Sequence, residues 1–370
     1  MNAARIIVLI LGVAILLINA ALVITTLIVP RSASGLASLP MRVVRATFRR
    51  ISLLARGYPS KDRILAFSEP VALVVLLAGW LTVAVVGFAL INWGIGSPTV
   101  DSAFAESGSS VFTLGFTLGH HTGSHLVDFV AAGTGMVLVA LQIAYLPTLY
   151  GAYNRRETLV TLLESRAGAP AWGPELLARH HLVGLIGSLP DLFAEWERWA
   201  ADVAESHTSY PSLLYLRSPR AQNSWVVSLI AVMDAAAICL AIDPEGAPIE
   251  ARMCIRMGFT CLRDIALVTR IPFDPDPSPD DPISLPEPEF DAAVAHLREI
   301  GYPTSRPPED AWSHFRGWRV NYEGVAYALA ALLNAPPARW TGPRRLFRGE
   351  SLEPRRPVDR QPTRGSGHAH

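Results

Sequence analysis

The residues with the most specific chemistry lie between Asp101 and Leu126, in DSAFAESGSSVFTLGFTLGHHTGSHL, a polar stretch without Lys or Arg between two long apolar runs. At its centre stands Thr113-Leu114-Gly115-Phe116-Thr117. Thr113 offers a hydroxyl and a carbonyl, Gly115 is free to adopt φ > 0, and Phe116 can pack sideways and hold a loop open. Such a backbone can turn successive carbonyl oxygens to one side, which is chemistry for a cation that exchanges its hydration shell for oxygen ligands. Non-helical backbone at membrane depth is tolerated only where it lines a water-filled or protein-buried space, so the stretch reads as a re-entrant loop. Directly after it come His120, His121 and His125, with Asp128 close behind. Three imidazoles so close together could ligate a transition metal. The cluster is read instead as a pH-sensitive outer mouth titrating near pH ~6.5, where protonation repels cations, and no metal beyond a permeant cation is expected.

These residues need elements to hold them. Ser102 to Phe112 can form about three helical turns with Asp101 or Ser102 as N-cap and Ser107, Ser109 and Ser110 facing a polar environment. The negative C-terminal end of such a helix, pointed into the membrane, favours a cation. On either side, Val71 to Ile91 and Val127 to Tyr150 are long enough to cross a hydrocarbon core of about 30 Å, as is the charge-free run Ile6 to Val29. A cleaved signal ending near Ala33-Ser34-Gly35 is the rival for the first run, which is longer than the usual apolar region of such signals. Half of the 370 residues are hydrophobic and the mean hydropathy is +0.29, values of an integral membrane protein.

The zero net charge hides an asymmetry. Arg31, Arg42, Arg45, Arg49, Arg50, Arg56, Lys61 and Arg63 crowd one loop, and Arg155 and Arg156 follow the third run. Positive residues mark the cytoplasmic side, which puts the N-terminus outside and the C-terminal region inside a plasma membrane. Met41 to Leu54 is amphipathic, and Arg42, Arg45 and Arg49 are read as contacts to anionic headgroups.

From Val71 to about Tyr150 the chain resembles the potassium-channel superfamily in its two-helix plus P-loop form, on the strength of T-x-G-F placed between two apolar runs. The resemblance implies a homotetramer with Thr113, Leu114, Gly115, Phe116 and Thr117 as selectivity filter and K⁺ as permeant ion. It also implies an inner helix in which Gly133 and Gly135 permit a bend, Pro147 kinks the inner end and Gln142 faces a wet cavity. The family's filter continues with a second glycine and usually an acid. This chain has Thr117 and Leu118, so K⁺ permeation with measurable Na⁺ leak is expected.

Residues 151–342 read as a helical cytoplasmic domain, with segments at Glu157–Glu164, Pro174–Leu185, Asp191–Ser206, Ser224–Ala241, Glu250–Thr269, Phe290–Glu299 and Pro308–Leu333. Trp225 to Ile242 is apolar, but Asp234 near its centre nearly cancels its insertion energy. It is read as a buried core helix whose Asp234 needs Arg252, Arg256 or Arg263 as partner. His180 and His181 face apart, and Cys254 and Cys261 are core residues. Cys239, Cys254 and Cys261 form no disulfide framework and suit a reducing cytoplasm. No catalytic constellation, phosphate loop or nucleic-acid signature stands out, so neither an enzyme nor a bound cofactor is expected.

The expected organisation is therefore all-α: a first span in 1–30, a basic loop in 31–69, a pore domain in 70–150, a helical domain in 151–342 and a disordered Arg/Pro-rich tail in 343–370. The function expected is a tetrameric cation channel with a cytoplasmic regulatory domain. The alternative is a membrane-anchored scaffold whose cytoplasmic helices bind a protein.

Overall fold

The computed structural model describes residues 3–27, 39–117 and 122–342. Residues 33–35, Leu118, Gly119, His120, His121 and the tail 343–370 lie outside the described residues. Among the described residues there is no strand, and the chain divides into two compact units, Met1–Gly151 and Ala152–His370.

The first unit holds α1 (Ala3–Leu27), α2 (Leu39–Ser52), α3 (Tyr58–Ala66), α4 (Ser68–Ile95), α5 (Val100–Val111) and most of α6, whose 46 residues run from Thr122 to Ala167. α1, α4 and α6 are long and apolar enough to cross a bilayer. Lipid supplies no hydrophobic force between helices, so their association depends on close backbone approach through small residues. At the α1–α4 crossing a methyl on Gly12 would sit 2.7 Å from the Gly87 carbonyl oxygen, and one on Gly94 would sit 3.0 Å from that of Arg5. Asn19, buried in α1, donates to the Trp80 carbonyl at 3.2 Å.

On α2, Met41 is buried and Val44, Arg45 and Phe48 are half-buried, while Arg42, Arg49 and Arg50 are exposed. Arg45 differs from the headgroup role expected of it. Its guanidinium grips the buried Glu69 carboxylate of α4 with two bonds, of 2.8 and 2.6 Å. α3 is also unexpected: it starts after Gly57 at φ 79°, with Pro59 in its first turn, inside what the sequence reads as loop. Nine residues are too few for periodicity to announce a helix.

The second unit contains α7 (Gly173–Leu182), α8 (Leu189–Ser209), α9 (Trp225–Ile242), α10 (Ile249–Thr269), α11 (Glu287–Glu299), α12 (Pro308–Arg319) and α13 (Glu323–Leu332). Every one of the 18 residues of α9 is buried, and α7, α8, α10, α12 and α13 pack around it. α9 has the length and composition of a membrane span, yet here it is enclosed by protein on all sides.

The partner of Asp234 is Arg319, in place of the three arginines expected. Arg319 is fully buried and bonds Asp234, the Glu323 carboxylate at 2.9 Å, the Tyr327 hydroxyl at 2.8 Å and the Trp340 carbonyl at 2.7 Å. Tyr322 donates to the same Asp234 oxygen at 2.7 Å. Arg252 and Arg256 are exposed, and Arg263 reaches the Pro275 carbonyl. This cluster also explains why Pro308–Leu333 is two helices and not the one expected. The break at Val320–Tyr322, where the Asn321 amide turns back onto the Gly317 and Trp318 carbonyls, brings Arg319, Tyr322 and Glu323 to one point.

Arg156 is likewise no exposed flank of a span. It is fully buried, bonding Glu157, the Leu213 and Leu216 carbonyls at 2.7 Å each, and Nε2 of the buried His207 at 3.0 Å. A guanidinium only donates, so Nε2 must carry the lone pair and His207 is neutral. Burial, then the charge of Arg156, hold the His207 pKa well below the usual histidine value. The unfolded chain takes up a proton near pH ~6.5 that the folded state refuses, so stability is full above that pH and falls below it, by up to about 1.4 kcal/mol per pH unit. Burial lowers the His180 pKa too, adding to the slope with the same sign. Unfolding curves at pH 7.5 and 5.5 should show the loss, and His207→Gln should shrink it; an unchanged slope would place the sensitivity elsewhere.

Candidate functional site

α5 begins with Thr99 as N-cap, two or three residues ahead of the cap expected. The Thr99 hydroxyl accepts from the Ser102 amide at 3.1 Å and the Ser102 hydroxyl from the Thr99 amide at 3.2 Å, a reciprocal capping box. The serines expected on a polar face are turned inward. Ser107 is fully buried and accepts from the Asn92 amide of α4 at 3.2 Å. The buried Ser110 donates to the Glu106 carbonyl at 2.9 Å and to the Asp128 carboxylate of α6 at 2.8 Å. Ser97 donates to the buried Glu106 at 3.2 Å. α5 is thus tied by side chains to both neighbouring helices.

Backbone approach locks it from another side. A methyl on Gly135 of α6 would lie 1.9 Å from the Val111 carbonyl oxygen, so the α6 backbone rests directly on the last turn of α5. Gly135 is required for packing at this point, whereas a methyl on Gly133 would meet no other part of the described residues within 4 Å, and Gly133 lines an apolar groove of about 690 Å³ with Leu16, Asn19 and Val23 of α1. α6 runs through Pro147 as one helix. Gln142 is buried, and among the described residues its Oε1 has no hydrogen-bond partner.

The loop after α5 is shaped by amides that turn back onto the helix. The Phe112, Thr113 and Leu114 amides donate to the Gly108, Ser110 and Ser109 carbonyls at 3.1, 2.9 and 2.7 Å, satisfying the helix C-terminus. The Ser109 hydroxyl accepts from the Phe116 and Thr117 amides at 3.1 and 3.2 Å and donates to the Thr117 carbonyl at 3.5 Å. The N–H and C=O of one planar trans peptide point to opposite sides. With the Leu114, Phe116 and Thr117 amides directed at α5, the carbonyls of Thr113, Gly115 and Phe116 are directed away from it, where Phe112 to Phe116 are exposed. The Thr117 carbonyl, bonded to Ser109, is turned back.

Positive φ makes this possible at two residues. Gly115, at φ 71°, is the one the sequence points to. Thr113, at φ 55°, is not, because a β-branched residue disfavours that region. Strain of this sort persists only where surrounding bonds over-determine it, and it concentrates at functional sites. Thr117 does not take a positive φ. Leu114 and Phe116 are 63% and 67% exposed, so within one chain Phe116 packs against little. Of the outer-mouth histidines only His125 is described, and it is exposed. Among the described residues no group of three or more His, Cys, Asp or Glu side chains is placed to hold a metal ion.

In the second unit, His180 Nδ1 meets the Leu176 carbonyl at 2.7 Å and His181 Nε2 meets that of Ile300 at 2.9 Å. Cys254 and Cys261 are fully buried, and burial pushes both thiols up, away from the reactive thiolate. No protein-family model, curated protein or solved structure matches this chain.

Proposed function

We propose that the first unit forms the pore of a homotetrameric cation channel of the plasma membrane, with K⁺ as its permeant ion. The observation that carries this reading is the row of carbonyls from Thr113, Gly115 and Phe116, turned to the exposed side of a loop that α5 holds from behind. Oxygens that accept no hydrogen bond among the described residues are what a dehydrated cation requires. One such loop supplies one wall, and an axial pore needs about four around a symmetry axis, so the chain must oligomerise. α1, α4 and the apolar part of α6 are the three spans, and α5 with its loop is re-entrant. Gln142, expected to face a wet cavity, is instead buried within the chain itself, so it is not part of the proposed pore lining.

Polarity follows from the arginines. The exposed Arg42 and Arg49 of α2 lie on the anionic inner leaflet, the second unit is cytoplasmic, and the loop after α5 opens outside. Cys239, Cys254 and Cys261 are buried and will be silent to a membrane-impermeant thiol reagent. On intact cells the reagent should label His125→Cys and spare Ser60→Cys, both exposed positions. Equal labelling of the two would remove the three-span topology.

A membrane-anchored scaffold is the second reading, favoured by the exposed Ile249, Met253 and Leu267 along α10 of the second unit. Purified protein in liposomes separates the two. A channel passes K⁺ down an imposed gradient; a scaffold leaves the vesicles as tight as empty ones.

A further inference from the structure

We propose that Ser109 is the positioning residue that sets cation selectivity, by holding the Gly115 and Phe116 carbonyls toward the pore axis and the Thr117 carbonyl out of it. The inference rests on the channel reading and goes beyond it by assigning selectivity to one hydroxyl behind the loop. Ser109 is 1% exposed, and its oxygen is saturated: two amides donate to it and its own proton goes to Thr117. Each of those bonds orients a peptide plane, and each plane places one carbonyl. Its backbone adds a fourth hold, since the Ser109 carbonyl accepts from the Leu114 amide at 2.7 Å and thereby orients the Thr113 carbonyl.

A second glycine at position 117 could reverse its peptide and extend the row of oxygens. Thr117 cannot do so cheaply, and the Ser109 bond to its carbonyl makes the row, among the described residues, end at Phe116. Discrimination between K⁺ and Na⁺ depends on the number and field of the coordinating carbonyls, so a group that fixes which carbonyls face the ion fixes the preference.

The test is the K⁺/Na⁺ permeability ratio from reversal potentials under bi-ionic conditions, in the full chain reconstituted in bilayers. Ser109→Ala should lower the ratio at least about fivefold, the scale on which one hydrogen bond biases an equilibrium, while both ions still pass. Ser109→Thr keeps the hydroxyl and should retain the ratio. Ser109→Cys, whose thiol is a weak acceptor of similar size, should lower it even if the alanine variant fails to assemble. Ser107→Ala serves as the control, because that buried hydroxyl bonds α4 and not the loop. An unchanged ratio in Ser109→Ala or Ser109→Cys overturns the proposal and leaves the channel standing. A fall in Ser107→Ala as large as in Ser109→Ala also overturns it, since the effect is then general loosening of α5. Absence of current in the unaltered protein removes the channel reading, and this proposal with it.

Discussion

Gly115→Ala abolishes ion flux while leaving expression and oligomer size unchanged. At φ 71° an alanine is strained by its own backbone, at a cost of about 1–2 kcal/mol. Among the described residues the added methyl meets nothing, no heavy atom lying within 4 Å of its position. A strain of that size is small beside a typical folding stability of about 5–15 kcal/mol, so the fold survives. The loop relieves the strain by rotating a peptide plane, and that rotation takes the Gly115 carbonyl out of the row in every subunit at once. Flux from reconstituted vesicles, read beside size-exclusion elution, checks both halves of the expectation. Undiminished flux in this variant would mean that ions do not cross at Thr113 to Phe116.

Arg319→Met should cost the second unit about 3–5 kcal/mol, because it leaves the buried carboxylates of Asp234 and Glu323 without their cation. Desolvating an unpaired charge is expensive, and nothing near Asp234 replaces the guanidinium: Tyr322 supplies one neutral hydrogen bond at 2.7 Å. The double variant Asp234→Asn with Arg319→Met removes one of the two stranded charges, leaving that of Glu323, and should recover part of the loss. Denaturant titration followed by tryptophan fluorescence gives both numbers. A loss below about 1 kcal/mol in the single variant would show that Tyr322 alone suffices to hold Asp234.

Much of the helical architecture was legible because long charge-free runs leave few alternatives. α1, α4 and the apolar part of α6 follow from length and composition, and α9 was separable from them through Asp234 and through the Arg-rich tail that a further crossing would export. The partner of Asp234 was not legible. Arg319 lies 85 residues away, and periodicity within an element carries no information about pairing between elements. Nearby arginines were the natural guess and they point to solvent or to other carbonyls. Likewise Arg45 and Arg156 count as surface charge in any sequence reading, yet each is spent on a buried carboxylate.

At the candidate site the need for φ > 0 was visible at Gly115, since glycine advertises it, and invisible at Thr113, which adopts it against preference. Gly135 drew attention as a flexible point, and its observed duty is contact with the Val111 carbonyl. Ser109 gave no signal apart from its neighbours Ser107 and Ser110. Three serines in one short helix look alike until the structure shows that one bonds α4, one bonds α6 and one bonds the loop.

An experimental structure of the assembled particle in a lipid nanodisc, with K⁺ present, bears most directly on the central claim. The expected result is fourfold symmetry with the Thr113, Gly115 and Phe116 carbonyls of all subunits facing the axis and ion density between them. A particle in which these loops lie away from any symmetry axis, or face lipid, would contradict it.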